Sequence, residues 1–340
     1  MKAYKNLLKS VYEYGVLCNP ARENMPNTKF LHSTQMKFDF DCGFPILTGK
    51  QMPFYSIVAE LVGFMKGVTD VREFDRLGTS VWWDNAYKWN IQEKDRGSYP
   101  INYYKSDKYG NTPYSYDLGR IYSAQWRKWR GCTLTETYGE KDQLVDLINS
   151  INTSPQSRYH VMTAWNPIEM NNEQVSQPNC HVYFQASCTP IKKLSITNLK
   201  NILSQYLSDD TIKQLLESGY NPDKTLYTHL TQRSCDMFLG VPFNITSYSL
   251  FSILLAIFTN SLPIEFSWVG VNTHIYSNHF EAVEKYISNE LYKRPKLGIK
   301  NIFSLEDIEQ LETLEDVKKC FWLENYVYKD KIKAELSVGL

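Results

Sequence analysis

The chain has 340 residues, enough to bury a large core, and its 43% hydrophobic and 22% charged content excludes disorder and collagen-like structure. Lys+Arg and Asp+Glu both number 37, so the formal net charge is zero. That balance argues against a nucleic-acid or membrane-surface binder, which would show a basic excess, and leaves room only for a local anion site.

The first stretch, MKAYKNLLKSVYEYGV, is basic and amphipathic without a long apolar run, and reads as a helix rather than a signal peptide. From Phe54 to Met65 the apolar residues fall at helical spacing, with Glu60 on the same arc, so its carboxylate is expected to be partly buried. VWWDNAYKW follows, then a Tyr-, Asn- and Gly-rich stretch to about residue 116 that reads as loop. Asp142 to Ile151 reads as helix, and YHVMTAW (159–165) and CHVYFQAS (180–187) as strands. Residues 190–225 read as two polar amphipathic helices closed by Gly-Tyr-Asn-Pro. LTQRSCDMFLG then returns to strand, and TSYSLFSILLAIFTN is apolar nearly all round, a buried helix that Thr246 or Ser247 could cap. Its longest apolar run, Leu250 to Phe258, is too short to span a bilayer. IEFSWVGVNTHIYSNH reads as a strand running into a polar loop. There is no internal repeat, and strands mixed with a few long helices indicate an α+β domain.

The seven cysteines are odd in number and contain no CxxC pair, which argues against a disulfide framework or a zinc site and for a reducing cytoplasm. Taken singly, the polar residues have ordinary readings. Cys180 fits a core thiol, and adjacent strand residues such as Cys180 and His181 point to opposite faces, which disfavours a nucleophile–base pair. Cys235 reads as packing, His274 and His279 as surface loop residues, and Glu60 as a salt-bridged carboxylate.

Together they carry more. QPNCHVYFQ, QRSCDMFLGVPFNITSY and THIYSNH, in that order, resemble the thymidylate synthase family. GFPILTGK (43–50), AELVGFMKGVTD (59–70), DLGRIYSAQWR (117–127) and the final IKAELSV (333–339) agree with it. The resemblance covers most of the chain outside roughly 87–115, 190–225 and 297–330. It implies one domain over 1–340, with insertions at about 87–115 and 190–225, and a mixed β-sheet with packed helices that forms a homodimer through the sheet. It implies dUMP as substrate and 5,10-methylenetetrahydrofolate as one-carbon donor.

Residue by residue, the resemblance makes Cys180 the nucleophile that adds to C6 of the uracil, with Arg233 lowering its pKa. Glu60 moves protons through ordered water, and Tyr122 serves removal of the C5 proton. Arg22, Arg233 and Ser234 hold the phosphate, and Arg158 reaches the phosphate in the other subunit. Asn244 reads the base, since a primary amide donates to O4 and accepts from N3–H, as uracil but not cytosine requires. His274 and Tyr276 bind the deoxyribose 3′-hydroxyl. Asp236 binds the pterin, Lys50 the glutamate tail of the folate, and Gly240, Phe243 and Trp83 line the folate.

The chain departs from the family pattern at several positions. Asn179 stands where Pro usually precedes the nucleophile, Gln177 where an apolar residue is usual, and Ala86 where a second Trp is usual. These changes add polar groups or space, which fits a dUMP hydroxymethylase of phage type, where water takes the place of hydride. A divergent thymidylate synthase is the alternative, and a non-catalytic nucleotide-binding homologue a further one. The 190–225 insertion reads as a solvent-facing elaboration, or as a docking element for a nucleotide-synthesis complex.

Overall fold

The computed structural model describes residues 1–19, 25–94, 116–131, 139–171 and 173–335, with backbone alone for 90–94. Helix α1 (Lys2–Tyr14) precedes strands β1 (Val16–Cys18) and β2 (Thr28–Asp39). Four helices follow: α2 (Phe54–Lys66), α3 (Val71–Leu77), α4 (Trp83–Lys94) and α5 (Tyr122–Arg127). A short pair, β3 (Trp129–Gly131) and β4 (Gly139–Lys141), leads to α6 (Gln143–Thr153), β5 (Val161–Thr163) and β6 (His181–Pro190). Helices α7 (Ile196–Leu203) and α8 (Asp209–Glu217) lie between β6 and β7 (Lys224–Asp236), as the amphipathic spacing predicts. Then come α9 (Gly240–Phe258), β8 (Ser261–Tyr276), α10 (Phe280–Ser288), β9 (Lys296–Ile299), α11 (Leu305–Glu309), α12 (Leu314–Cys320) and β10 (Phe321–Glu324).

Six strands form one mixed sheet in the order β1-β2-β8-β7-β6-β5, antiparallel except for β7 and β8. Its register explains which residues are inside. The cross-strand row Met36–Trp268–Leu230–Phe184–Met162 is buried throughout. One residue along, the row Lys37–Ser267–His229–Gln185–Val161 is half-buried or exposed. A period of two puts one row on the core face and leaves the next on an open face. Burying each large apolar side chain of the first row contributes roughly 1.5–3 kcal/mol.

Helix α9 lies on the core face against β7 and β8, α2 packs on α9, and α5, α11 and α12 pack on α2. Cys235 is fully buried, as packing requires. One start differs from expectation. α9 begins at Gly240, so Thr246 and Ser247 lie inside it and Thr246 Oγ1 donates to Pro242 O. Pro242, tolerated only in a first turn, marks the real start. Among the described residues this one helix is long and apolar enough to cross a membrane, and 89% of it is buried inside the fold.

The insertion helices dock on the segment between 296 and 301. Ser208 N donates to Leu297 O at 2.9 Å, and Leu297 N to Tyr206 O at 2.8 Å. Thr211 Oγ1 accepts from Ile299 N at 2.7 Å and donates to Ile299 O at 3.0 Å. Thus two of the stretches that lack the family resemblance pack against each other.

Candidate functional site

Because β7 and β8 run parallel, their C-terminal ends coincide, and antiparallel β6 brings its N-terminal end to the same edge. That edge gathers Cys180, Arg233, Ser234, Asp236, His274 and Tyr276 from distant parts of the chain. Helix α9 starts there, so Gly240, Phe243 and Asn244 join them. A ligand crevice at the ends of parallel strands is the general expectation for such a crossover.

The Cys180 amide donates to Tyr122 Oη at 2.7 Å, and Cys180 O accepts from Arg233 N at 2.9 Å. The Arg233 guanidinium donates to Asn179 O at 2.9 Å and Pro178 O at 2.6 Å, and lies 4.9 Å over the Trp165 ring. The cation is thus anchored on the two residues before the thiol. Burial pushes the thiol above its ordinary value; Arg233 and the Tyr122 bond pull it down without cancelling that push. The expected activation by Arg233 has the right sign and is outweighed in the free protein. Ser234 is exposed and holds φ at +51°, the left-handed region that L side chains rarely adopt.

Glu60 is buried on α2, and burial pushes its carboxyl up to about 7, against a bond from an indole. That indole belongs to Trp82, whose Nε1 donates to Glu60 Oε1 at 3.0 Å. Trp83, which the resemblance places at the folate, packs edge-on against Tyr116 at 5.9 Å. The two tryptophans are adjacent, and only the start of α4 decides which one meets α2. Tyr122 sits between the parts: its ring is 6.1 Å from Trp82 and 4.5 Å from His181. His181 lies in β6, fully inside the core, and burial pulls its imidazole down to about 3 while a bond with Asn244 opposes. It is therefore neutral. Its place beside Tyr122 and Asn244 was not legible from strand alternation, because the ladder shifts register between His181 and Tyr183.

His274 and His279 are buried rather than surface residues. His274 Nδ1 lies 3.0 Å from Asn272 O, and a carbonyl can only accept, so Nδ1 carries the proton and Nε2 is an acceptor. Tyr276 meets the His274 ring edge-on at 4.9 Å. Asp236 Oδ1 accepts from Phe238 N at 2.9 Å and Leu239 N at 3.3 Å, which fixes the turn into α9. Phe243 is half-buried on that helix. A Cβ at Gly240 would meet only Asp236 Cβ, at 3.7 Å, so nothing inside the chain demands glycine there.

Lys50 differs from expectation. Its ammonium is buried, donates to Phe238 O at 2.6 Å and lies 3.9 Å over the Phe238 ring. Burial lowers it to about 8. In this arrangement it fixes the Asp236 turn rather than reaching outward for a glutamate tail. Arg158 is exposed at the β5 edge of the sheet, beside Tyr159, which is 88% exposed. Arg22 and residues 336–339 of the final motif lie outside the described residues, as does most of the 87–115 insertion.

The three departures from the family pattern are all placed. Asn85 Nδ2 donates to Gln177 Oε1 at 2.7 Å, a polar bridge between the helix next to Trp82 and the segment that ends in Cys180. Sequence reasoning missed Asn85. Asn179 is 0% exposed, and its Nδ2 donates to Ala164 O at 2.9 Å while Oδ1 has no partner among the described residues. Ala86 is buried. No group of three or more His, Cys, Asp or Glu suited to a metal occurs among the described residues.

A family model described as thymidylate synthase matches residues 2–338. The chain therefore belongs to the thymidylate synthase family, folate-dependent enzymes that transfer a one-carbon unit to C5 of dUMP.

Proposed function

We propose that this protein hydroxymethylates dUMP: dUMP, 5,10-methylenetetrahydrofolate and water give 5-hydroxymethyl-dUMP and tetrahydrofolate. The observation that carries this reading is the Asn85–Gln177 bridge. Each amide spends one half on the other and keeps a second half that is free to hold water. Water bridging polar groups is nearly as favourable as a direct hydrogen bond, so these halves support a water site beside Trp82 and the Cys180 segment.

In this reading Arg233, Ser234 and Arg22 hold the nucleotide phosphate, and Arg158 reaches it from the second subunit. Asn244, fixed by His181, reads O4 and N3–H of the base. His274 Nε2 accepts from the 3′-hydroxyl, and Tyr276 donates to it. Phosphate and base contacts position C6 over the Cys180 thiolate, which adds there and makes C5 nucleophilic. Glu60, poised near 7, can give and take protons at neutral pH, and Tyr122 is the group beside Cys180 for removal of the C5 proton.

The folate donor fits the residues present. Asp236 commits Oδ1 to the chain and keeps Oδ2 for a pterin N–H, while Phe243 offers an apolar wall. When bound, the folate supplies the methylene carbon. The open sheet face beside Arg158 supports a homodimer through the sheet. A mixture of Cys180→Ser and Arg158→Ala protomers should then recover activity that neither has alone.

Thymidylate synthesis is the second reading. It is favoured by Asn179, whose Nδ2 is spent on Ala164 O. The deciding experiment is incubation with dUMP and the folate, with mass analysis of the nucleotide. Hydroxymethyl-dUMP without the absorbance rise of dihydrofolate supports the proposal, and Asn85→Trp with Gln177→Leu should lower its yield. Equal amounts of dTMP and dihydrofolate sink it. Asn244→Asp should move preference from dUMP toward dCMP, and a wild type that prefers dCMP would overturn the base assignment.

A further inference from the structure

The chain after β10 crosses the 47–52 loop and is stitched to it. Tyr326 Oη donates to Leu47 O at 2.7 Å, and Lys329 N to Thr48 O at 3.1 Å. Ile332 is buried, whereas Lys331 and Lys333 are exposed. The last described anchor is a histidine. His279 Nε2 lies 2.7 Å from Glu335 O. A backbone carbonyl can only accept, so Nε2 carries the proton and donates. Nδ1 then faces Asp236 Oδ1 at 3.9 Å, too far for a hydrogen bond, and has no partner among the described residues.

His279 is 0% exposed, with Phe238 at 5.8 Å and Tyr276 at 5.6 Å ring to ring. A buried ring with a single hydrogen bond could be replaced by an apolar one at little cost unless that bond is used. Asp236 itself is held by the Phe238 and Leu239 amides, and Phe238 O by Lys50. His279 is therefore the piece that touches both the fixed turn and the crossing C-terminal chain.

We infer that His279 is a positioning residue: it latches the C-terminal segment at Glu335 against the Asp236 turn. Lys333 then lies between two fixed points, Ile332 and Glu335, and the segment is held beside the turn that carries Asp236. The consequence for catalysis rests on the reading that Asp236 and Phe243 meet the folate. The latch itself does not.

Two substitutions separate the ring nitrogens. Gln places its N–H where Nε2 stands and keeps the bond to Glu335 O. Asn places its N–H where Nδ1 stands and cannot reach that carbonyl. The test is limited trypsin cleavage after Lys331 and Lys333, followed by intact mass, on the full-length wild type, His279→Gln and His279→Asn. The thermal midpoint and circular dichroism of each are recorded beside it. About tenfold faster tail cleavage in His279→Asn, at a cleavage rate elsewhere equal to wild type, is the expected result. His279→Gln should cleave within about twofold of wild type. If Asn proves too unstable, the comparison of His279→Gln with His279→Met, which has similar reach and no hydrogen-bond donor, reads the same bond. Equal tail cleavage in donor-keeping and donor-lacking variants overturns the latch. The kinetic arm is the KM for the folate, expected to rise several-fold in His279→Asn with the KM for dUMP unchanged and rescue by Gln. Faster cleavage with an unchanged folate KM supports the latch and overturns the folate role of Asp236.

Discussion

In the lobe made by α7, α8 and β9 the helices start as local rules dictate. Ser195 accepts from Asn198 N and Ser208 from Thr211 N, and the neighbouring α11 and α12 carry full capping boxes at Ser304–Asp307 and Thr313–Asp316. At the sheet edge that gathers Cys180 and Arg233, α9 starts without a side-chain cap, as does α2. Five non-glycine residues have positive φ among the described residues, and four are Asn; the fifth is Ser234, at the sheet edge. Asn tolerates that region and Ser does not, so the strain sits on one side. Unpaired buried atoms do not separate the two regions, since Tyr206 Oη and Asn221 Oδ1 match Asn179 Oδ1 and His181 Nδ1. Ionisable groups do. Tyr206 and Tyr220 are raised by burial but stay neutral at working pH either way, whereas Glu60 is brought to about 7, where its charge is in play. The lobe is built for stability, and the edge holds features that cost stability, as the proposed site would require.

The comparison can be broken in four places. Cys180→Ser should have the largest effect, a loss of kcat of about 10⁴-fold or more, with dUMP binding retained and stability unchanged. 5-Fluoro-dUMP with the folate should leave a covalent adduct on Cys180 by peptide mapping; an adduct on Cys188 or Cys235 would refute the assignment.

Glu60→Gln comes next, with kcat expected to fall about 10²–10³-fold. Its stability should move the opposite way. The folded carboxyl binds its proton more tightly than the unfolded one, so its contribution is complete below pH 4.5 and is lost as pH rises through about 7. Above that, wild type carries a buried charge that the amide lacks, and Glu60→Gln should unfold later in urea by roughly 1–3 kcal/mol. A variant less stable than wild type at pH 8 would show that Glu60 is a structural carboxylate.

In the lobe, Thr211→Val should do the reverse. It strands Ile299 N–H and C=O, costing roughly 2 kcal/mol in denaturant, with kcat and both KM values unchanged. A change in kcat would mean that the lobe is coupled to the site. Ser234→Gly should have the smallest effect on stability, a gain of about 1 kcal/mol from relief of the left-handed backbone, while the KM for dUMP rises about tenfold. A loss of stability there would remove the strain argument.

Most of the fold was legible because hydrophobic period survives in single residues: α2, the insertion helices and the α9 core all follow it. Legibility failed where three-dimensional choice outranks spacing. Nothing in VWW says which indole faces Glu60. The start of α9 was hidden because Thr246 and Ser247 look like caps while the turn is held from Asp236, ten residues earlier in one case. Lys50 reads as a contact to the folate tail until its bond to Phe238 O is known, and His279 as a loop residue until Glu335 folds back over it.

The crossover from β7 through α9 to β8 has a consequence for the birth of the molecule. A chain emerging from the ribosome delivers β6, the helices α7 and α8, and β7, then a helix apolar on every side, and only afterwards the strand that covers it. Strand β2 waits still longer, since Thr28 must find Tyr276. Closing such distant pairs is slow, and α9 is the surface that aggregates or recruits a chaperone meanwhile. The sheet edge of the proposed site is thus among the last things to exist: Asp236 and His274 become neighbours only when the parallel ladder zips. A truncated chain ending before β8 contains Cys180 and Arg233 and still lacks the His274 and Tyr276 side of that edge.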